Sequence, residues 1–260
     1  MHCFGVPAAA RAWNLIHAHI APRQFVSGNS AVIVAASISL PHESVPPMTD
    51  DKAATEAAFR DLKARVAKLD DAGLDLLFRE GRTCYAWLDR KVPEALLHRI
   101  VELALLPPTS ANSSPARFVF VSSPEAKERL KPALSSGNVP KTMAAPTTVI
   151  VGYDPEFWRH MDKLFPHADM KTMYEQNAAF AEQAAFRNGS LMGAYVIMAA
   201  RALGLDCGPM SGFDPSKVDA EFFAGTPHKA NFLCNIGYGD PASVKPRGYK
   251  FAFDEIASIV

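Results

Sequence analysis

The stretch Arg201–Asp214, RALGLDCGPMSGFD, decides how this chain folds. Upstream of it, Ala178 to Leu203 is a long Ala- and Met-rich segment whose helical period stops at Gly204, the residue type a helix favours at its C′ position. Leu205-Asp-Cys207 then reads as a strand and Gly208-Pro-Met-Ser-Gly212 as a glycine-rich turn. Asp214-Pro215 opens a short helix, the aspartate as cap and the proline as first helical residue. The long segment is apolar on most faces, so it is predicted to lie at the centre of the molecule or in a subunit interface.

Working outward, helices and strands alternate. Phe59, Leu62, Val66 and Leu69 recur at helical spacing after an acidic start. Pro93 opens a helix that turns Leu96, Leu97, Ile100, Val101 and Ala104 toward a core. Arg117 to Ser122 (RFVFVS) reads as a strand, and Ser123-Pro124 caps a helix running to about Leu134. Thr147 to Tyr153 (TTVIVGY) and Asn231 to Tyr238 (NFLCNIGY) are further strands. The pattern is α+β or α/β, without internal repeats.

The chain has 260 residues, 48% hydrophobic and 21% charged, enough to bury a sizeable core. Lys+Arg and Asp+Glu both total 27, so no global charge draws it to nucleic acid or to an anionic membrane. Cys3, Cys84, Cys207 and Cys234 lie far apart, with no Cys-x-x-Cys and no Cys/His cluster, which argues against a metal site. Cys207 and Cys234 sit in apolar surroundings and read as small buried side chains, and this cysteine usage fits a reducing, cytoplasmic compartment.

Residues 1–47 differ from the rest. Arg11 and Arg23 precede the apolar run Ala31–Leu40 (AVIVAASISL), which is too short to span a bilayer, a task needing about 20 apolar residues. Met48 opens MTDDKAATEAAF, which reads as a start followed by a helix. The segment 1–47 is therefore expected to be a disordered leader or an upstream mis-start, with a targeting segment as the alternative.

Familiar chemistries are missing from the sequence: there is no P-loop and no Gly-x-Ser-x-Gly nucleophile elbow. Gly237-Tyr-Gly239-Asp-Pro-Ala242 fits Gly-x-Gly-x-x-Ala after a strand. A dinucleotide site needs a helix to follow, and Pro241 and Pro246 deny one, so a turn is expected. What remains are scattered groups suited to phosphate and to an aromatic cofactor. They are Gly81-Arg82-Thr83, the loop Pro108-Thr-Ser-Ala-Asn112, the loop Gly137-Asn-Val-Pro-Lys141, Gly208 to Gly212, and Lys245-Pro-Arg247. Each alone reads as a turn or a surface charge.

In this order, and with the stretches PPTSANSSPARFVF, RLKPALSSGN, AFRNGSLMGAY and RALGLDCGPMSGFD, the chain from about Leu74 to Ala257 resembles the nitroreductase family. It is most similar to the subgroup of malonic semialdehyde reductases of the Rut pyrimidine-degradation pathway. The resemblance implies an α+β, three-layer fold over residues 48–260, a central mostly antiparallel sheet flanked by helices, and an intertwined homodimer. It implies FMN as cofactor and NADPH or NADH as hydride donor. The activity it implies is reduction of malonic semialdehyde to 3-hydroxypropionate, with a general nitro, quinone or enone reductase as the alternative, and a non-catalytic flavin-binding dimer as an alternative of another class. Small carbonyl or nitro compounds are the expected partners.

Carried over to these residues, the resemblance places Arg82, Thr83, Lys245 and Arg247 on the FMN phosphate. That chemistry fits, because a dianion calls for cations and donors, and arginine offers a planar fork. Pro108, Thr109, Ser110 and Asn112 would reach the flavin of the other subunit. Lys141 would stand near flavin N1 and O2 as an electrostatic partner, and Pro209, Met210, Ser211 and Gly212 would run along the ring edge near N5 and O4. No protein nucleophile is implied. Tyr85, Ser211, Arg187 and solvent all remain open as the proton source. Two positions depart from the family pattern: Tyr85 stands near where a second basic residue is often found, and Ala116 where a Trp is common. Arg187, in an apolar stretch, is expected either to pair with Glu182 or to face an anion.

Overall fold

The computed structural model describes residues 51–260. The segment 1–47 with its apolar run, and Cys3, lie outside them. In chain order the elements are helix α1 (Lys52–Arg65), α2 (Asp71–Leu74, continued by a π-helical turn Asp75–Arg79), α3 (Glu94–Ala104), strand β1 (Ala116–Val121), α4 (Pro124–Leu130), α5 (Val139–Ala144), β2 (Thr147–Tyr153), α6 (Met161–Leu164), α7 (Met170–Glu175), α8 (Ala178–Ala202), β3 (Asp206–Met210), α9 (Pro215–Phe222), β4 (Lys229–Gly237) and α10 (Phe253–Ile256).

The four strands form one sheet in the order β1-β2-β4-β3, every neighbouring pair antiparallel. β2 is buried at each of its residues, as its unbroken apolar run requires of a strand covered on both faces. The two-residue period of the strands sorts their side chains between two layers. Val149 and Val151 of β2, Cys234 and Ile236 of β4 and Cys207 of β3 pack with Ile100 and Ala104 of α3 and Val196, Ala199 and Ala200 of α8. Ile150, Leu233 and Met210 face the other way, onto Leu130 of α4, Val218 of α9, and Phe223. A third cluster, with Tyr153, Phe157, Met161 and Tyr174, closes the far end of β2. This is the three-layer α+β arrangement expected from the sequence.

Local expectations held where a cap or a breaker was present. Ser123 Oγ accepts from the Ala126 amide at 3.1 Å, Asp214 caps α9, and Gly204 takes φ +77° after α8. Four readings are corrected. The helix from Pro124 was expected to reach Leu134 but ends at Leu130, and a 3-10 turn Lys131–Ala133 follows because Pro132 lacks the amide to continue it. The turn read at Gly208–Gly212 starts only at Ser211, since Gly208, Pro209 and Met210 pair with β4. Lys141, read as a loop residue, lies on α5. The helical period read through Phe59, Leu62, Val66 and Leu69 stops short, since α1 ends at Arg65 and Val66 is already extended; all four side chains are exposed. The turn at Gly237–Ala242 is as expected, a 3-10 turn Pro241–Ser243 and no dinucleotide helix.

α8 seats one face on the sheet, through Ala181, Ala184, Ala185, Gly189, Met192, Gly193 and Val196, and leaves Phe180, Phe186, Leu191 and Tyr195 exposed on the other. Among the described residues no helix is long and apolar enough to cross a membrane, and no group of three or more His, Cys, Asp or Glu could hold a metal ion. Cys84, Cys207 and Cys234 are free and buried.

Candidate functional site

The site starts where α2 ends. The last carbonyls of a helix have no partner within it and favour cations nearby. Here they take three guanidinium groups. Arg82 Nη1 donates to the Arg79 carbonyl at 3.0 Å and to that of Gly81 at 3.1 Å. Arg201 Nη1, from the end of α8, donates to the Leu77 carbonyl at 2.9 Å, and Arg247 Nη2 donates to the Arg79 carbonyl. The segment is fastened to the open edge of β3, where Thr83 bridges Cys207 and the Cys84 amide donates to the Cys207 carbonyl at 3.0 Å. Arg82, Thr83, Arg201, Lys245, Arg247 and Lys250 surround a cleft of about 400 Å³, and none of the residues lining it is acidic. Glu80 stands 3.5 Å from Arg82 outside that lining, largely in solvent. A cleft so lined has the charge and donors to accept a multiply charged anion such as a phosphate monoester.

Tyr85 joins this cleft to Lys141. Lys245 Nζ lies 4.5 Å and Lys141 Nζ 5.3 Å from the centre of its ring, both within cation–π range. Burial, and then the charge of Lys245, hold the Lys141 pKa below the ordinary lysine value. The backbone of Lys141 is fixed as well: its carbonyl accepts from Trp87 Nε1 at 3.1 Å and from Asn235 Nδ2 at 3.3 Å. Lys127 fastens the end of α5. Its buried ammonium donates to the Thr142 carbonyl at 3.0 Å and to the Ala145 carbonyl, and burial lowers its pKa to about 8. Sequence reading passed over Lys127, although its spacing of three from buried Leu130 puts it on the inner face of α4. Arg201 was passed over too, because it belongs to no phosphate-like motif.

Pro209 to Gly212 come to the same place. Thr142 Oγ1 contacts Met210 Sδ at 3.5 Å, and the Gly212 carbonyl accepts from Asn138 Nδ2 at 2.6 Å and from the Ser135 amide at 3.0 Å. The end of β3 is thus tied to α5, which carries Lys141. Ser211 is exposed.

The loop Pro108–Asn112 is elsewhere. It precedes β1, whose first residue Ala116 pairs with Tyr153 at the end of β2, whereas Lys141 precedes Thr147 at the start of β2. Seven residues of strand at about 3.4 Å each put roughly 20 Å between the two ends. The loop is tightly specified all the same. The Ser110 amide donates to Asn188 Oδ1 at 2.9 Å, Asn112 Nδ2 donates to the Leu164 carbonyl at 2.9 Å, and Thr109 Oγ1 accepts from the Ser114 amide at 3.2 Å. Ala111, Asn112 and Ser114 all have positive φ, at 48°, 51° and 40°, a strain usually kept at functional loops. Arg187 corrects its reading: it is exposed on α8. Glu182 instead accepts from Tyr153 Oη at 2.7 Å and from Lys229 at 3.0 Å.

With the geometry in place, three comparisons bear on it. The model of the nitroreductase family matches residues 79–238. A protein of Burkholderia lata, provisionally named NADH dehydrogenase/NAD(P)H nitroreductase, is 63% identical over 191 residues, which cover 74% of this chain and 98% of that protein. Among solved structures, a provisionally assigned nitroreductase from Exiguobacterium sibiricum in complex with FMN superposes with a TM-score of 0.66 at 19% identity, covering 74% of this chain and 99% of that one. One from Bacillus subtilis superposes with a TM-score of 0.64 at 22% identity, covering 74% and 100%.

Proposed function

Since the chain belongs to the nitroreductase family, we propose that it is an FMN-dependent oxidoreductase that moves reducing equivalents from NAD(P)H to a small organic substrate. The observation that carries this reading is the continuous line of cations from the cleft around Arg82 and Arg247, through Lys245 and the Tyr85 ring, to Lys141. Its donor set fits FMN, with a cationic end suited to the phosphate and a single lysine beyond it.

In this role Arg82, Thr83, Lys245 and Arg247 hold the phosphate, and Pro209 to Gly212 with Lys141 border the flavin ring. FMN held there would supply two-electron hydride chemistry between the nicotinamide and the substrate. The protein's part is to orient both partners, exclude water and place a fixed cation where negative charge develops. Lys141 meets the last requirement, because its backbone is pinned by Trp87 and Asn235 and its α5 helix by Lys127. Of the open proton sources Tyr85 stands beside Lys141, while Arg187 adjoins Asn188, which holds the distant loop.

We propose further that the site is completed by a second copy of the chain. Pro108, Thr109, Ser110 and Asn112 lie roughly 20 Å of strand from Lys141, so within one subunit they do not share its site. Phe186, Leu191 and Tyr195 on α8, and Phe251, Phe253 and Ile256 near the C-terminus, offer exposed apolar surface for a partner. A cytoplasmic location goes with this reading, as the three described cysteines are free thiols.

For the substrate we propose malonic semialdehyde, reduced to 3-hydroxypropionate in pyrimidine degradation. Its support is the resemblance carried by RLKPALSSGN and AFRNGSLMGAY. A broader nitro or quinone reductase is the second reading, favoured by the name of the Burkholderia relative. The test is a panel on purified protein, following NAD(P)H consumption with malonic semialdehyde, nitrofurazone and menadione. A higher kcat/KM for malonic semialdehyde supports the first reading, and a preference for the others replaces it with the second. Protein that retains FMN after desalting but turns over none of them is a flavin-binding dimer without catalysis, and protein that retains no flavin refutes the cofactor assignment.

A further inference from the structure

The cationic cleft holds one arginine more than the phosphate motif accounts for. Arg201 ends α8, far in sequence from both Gly81-Arg82-Thr83 and Lys245-Pro-Arg247, yet it lines the same cleft. It is half-buried, and among the described residues it forms no ion pair. A guanidinium taken out of water without a carboxylate is costly to keep. Among the described residues its hydrogen-bond partner is the Leu77 carbonyl, on the same turn whose Arg79 carbonyl takes Arg82 and Arg247. That leaves most of its five N–H donors free for another acceptor.

Gly81 makes room for it. A Cβ on residue 81 would stand 2.7 Å from Arg201 Cζ, 2.8 Å from Nη1 and 3.0 Å from Nε. The guanidinium therefore lies directly on the backbone beside Arg82, a position open only while residue 81 lacks a side chain. Its place at the end of α8 adds a second reason for a cation there, since the helix dipole favours positive charge at its C-terminus.

From this geometry we infer that Arg201 is a further phosphate-binding residue, acting with Arg82 and Arg247 as one of three guanidinium groups oriented by the carbonyls at the end of α2, and that Gly81 is the residue that admits it. The inference rests on the cleft being the FMN phosphate site. It names a ligand contributed by the core helix, in addition to those of the two flanking loops. A phosphate monoester offers three terminal oxygens, so three planar forks and the Thr83 hydroxyl match its capacity to accept hydrogen bonds.

The test compares FMN with riboflavin, which lacks the phosphate, in fluorescence titrations of the full-length protein. Arg201→Ala is expected to raise the Kd for FMN about tenfold or more while that for riboflavin stays within about twofold of the parent, as loss of a charge-assisted hydrogen bond requires. Arg201→Lys keeps the charge but not the fork and should fall between the two; it also serves if the alanine variant folds poorly. Gly81→Ala should act in the same direction, by displacing the guanidinium without removing it. An unchanged FMN affinity, or equal weakening of FMN and riboflavin, overturns the inference and leaves Arg201 as a prop for the Leu77 turn. A parent protein that binds both flavins equally refutes the cleft as a phosphate site and the inference with it. A parent that binds neither refutes the cofactor proposal itself.

Discussion

Gly193 tests how tightly α8, which carries both Arg201 and Asn188, is seated on the sheet. An alanine Cβ there would lie 2.6 Å from Cε1 and from Cζ of Phe232 and 2.8 Å from Cγ1 of Val151. Comfortable carbon contacts are about 3.5–4.0 Å, so roughly 1 Å of clearance must be found against two side chains. Val151 cannot readily retreat, and the partly buried Phe232 can yield only by turning its ring. Val151 is fully buried on β2, Phe232 stands on β4, and each of these strands is hydrogen-bonded on both sides. Overpacking of this kind costs about 1–3 kcal/mol, and the clamped strands argue for the upper end. The better helix propensity of alanine returns about 1 kcal/mol. Gly193→Ala should therefore lose about 2 kcal/mol, a fall in Tm of about 4–8 °C for a domain of this size. Gly137→Ala is the control. Nothing lies within 4 Å of its added Cβ, so it should gain about 0.4–1 kcal/mol by restricting the unfolded chain. Both are read by thermal unfolding at fixed protein concentration and saturating FMN. A Gly193→Ala protein as stable as the parent, or more so, would refute the close packing of α8 on β2 and β4.

Three further outcomes are expected. Arg247→Ala should weaken FMN binding about tenfold to 150-fold, the equivalent of roughly 1.5–3 kcal/mol, with little change in flavin-saturated turnover; equal affinity in mutant and parent would remove Arg247 from the phosphate. Lys141→Ala should slow reduction of the bound flavin about tenfold to a hundredfold in stopped flow, somewhat less than a fully buried partner would give. The Lys141 cation exists below its pKa, which burial and then Lys245 hold under the usual lysine value. The parent's reduction rate should accordingly fall as pH rises through that lowered pKa, and the mutant should lack this limb; parent and mutant with the same profile would make Lys141 a bystander. A chain beginning at Met48 should fold and retain FMN, and aggregation or loss of flavin would show that residues 1–47 contribute to the domain.

Much of this protein is legible in its sequence because the deciding signals are local. The strand TTVIVGY, the caps Ser123 and Asp214 and the stop at Gly204 depend only on the backbone chemistry of neighbouring residues, and each appears where its residues predict it. The misses are places where a local signal competes with packing. Gly208-Pro-Met reads as a turn, yet pairing with β4 draws it into β3. The helix-like period of Phe59 and Leu62 continues to Val66 and Leu69, yet α1 ends at Arg65 and all four side chains are exposed. Arg187 was read as buried from the apolar residues around it, but a helix with one face on a sheet and one in solvent admits a charge on its outer side.

The candidate site divides along the same line. Motif by motif, the sequence identified Arg82, Thr83, Lys141, Lys245 and Arg247 as groups suited to an anionic cofactor, because residue type and order suffice for that. Their convergence is a tertiary fact. The segments of Arg82 and Arg247, far apart in sequence, meet only because the last strand returns beside β3, and the Tyr85 ring links Lys245 to Lys141 only once that return is made. Arg201 and Lys127 belong to no anion-binding motif, since what qualifies each is a carbonyl supplied by another element, Leu77 for one and Thr142 for the other. Spacing along the chain determines which face of an element a side chain takes; only the packing of that element against its neighbours decides which charges share a cleft, and so where an anion can bind.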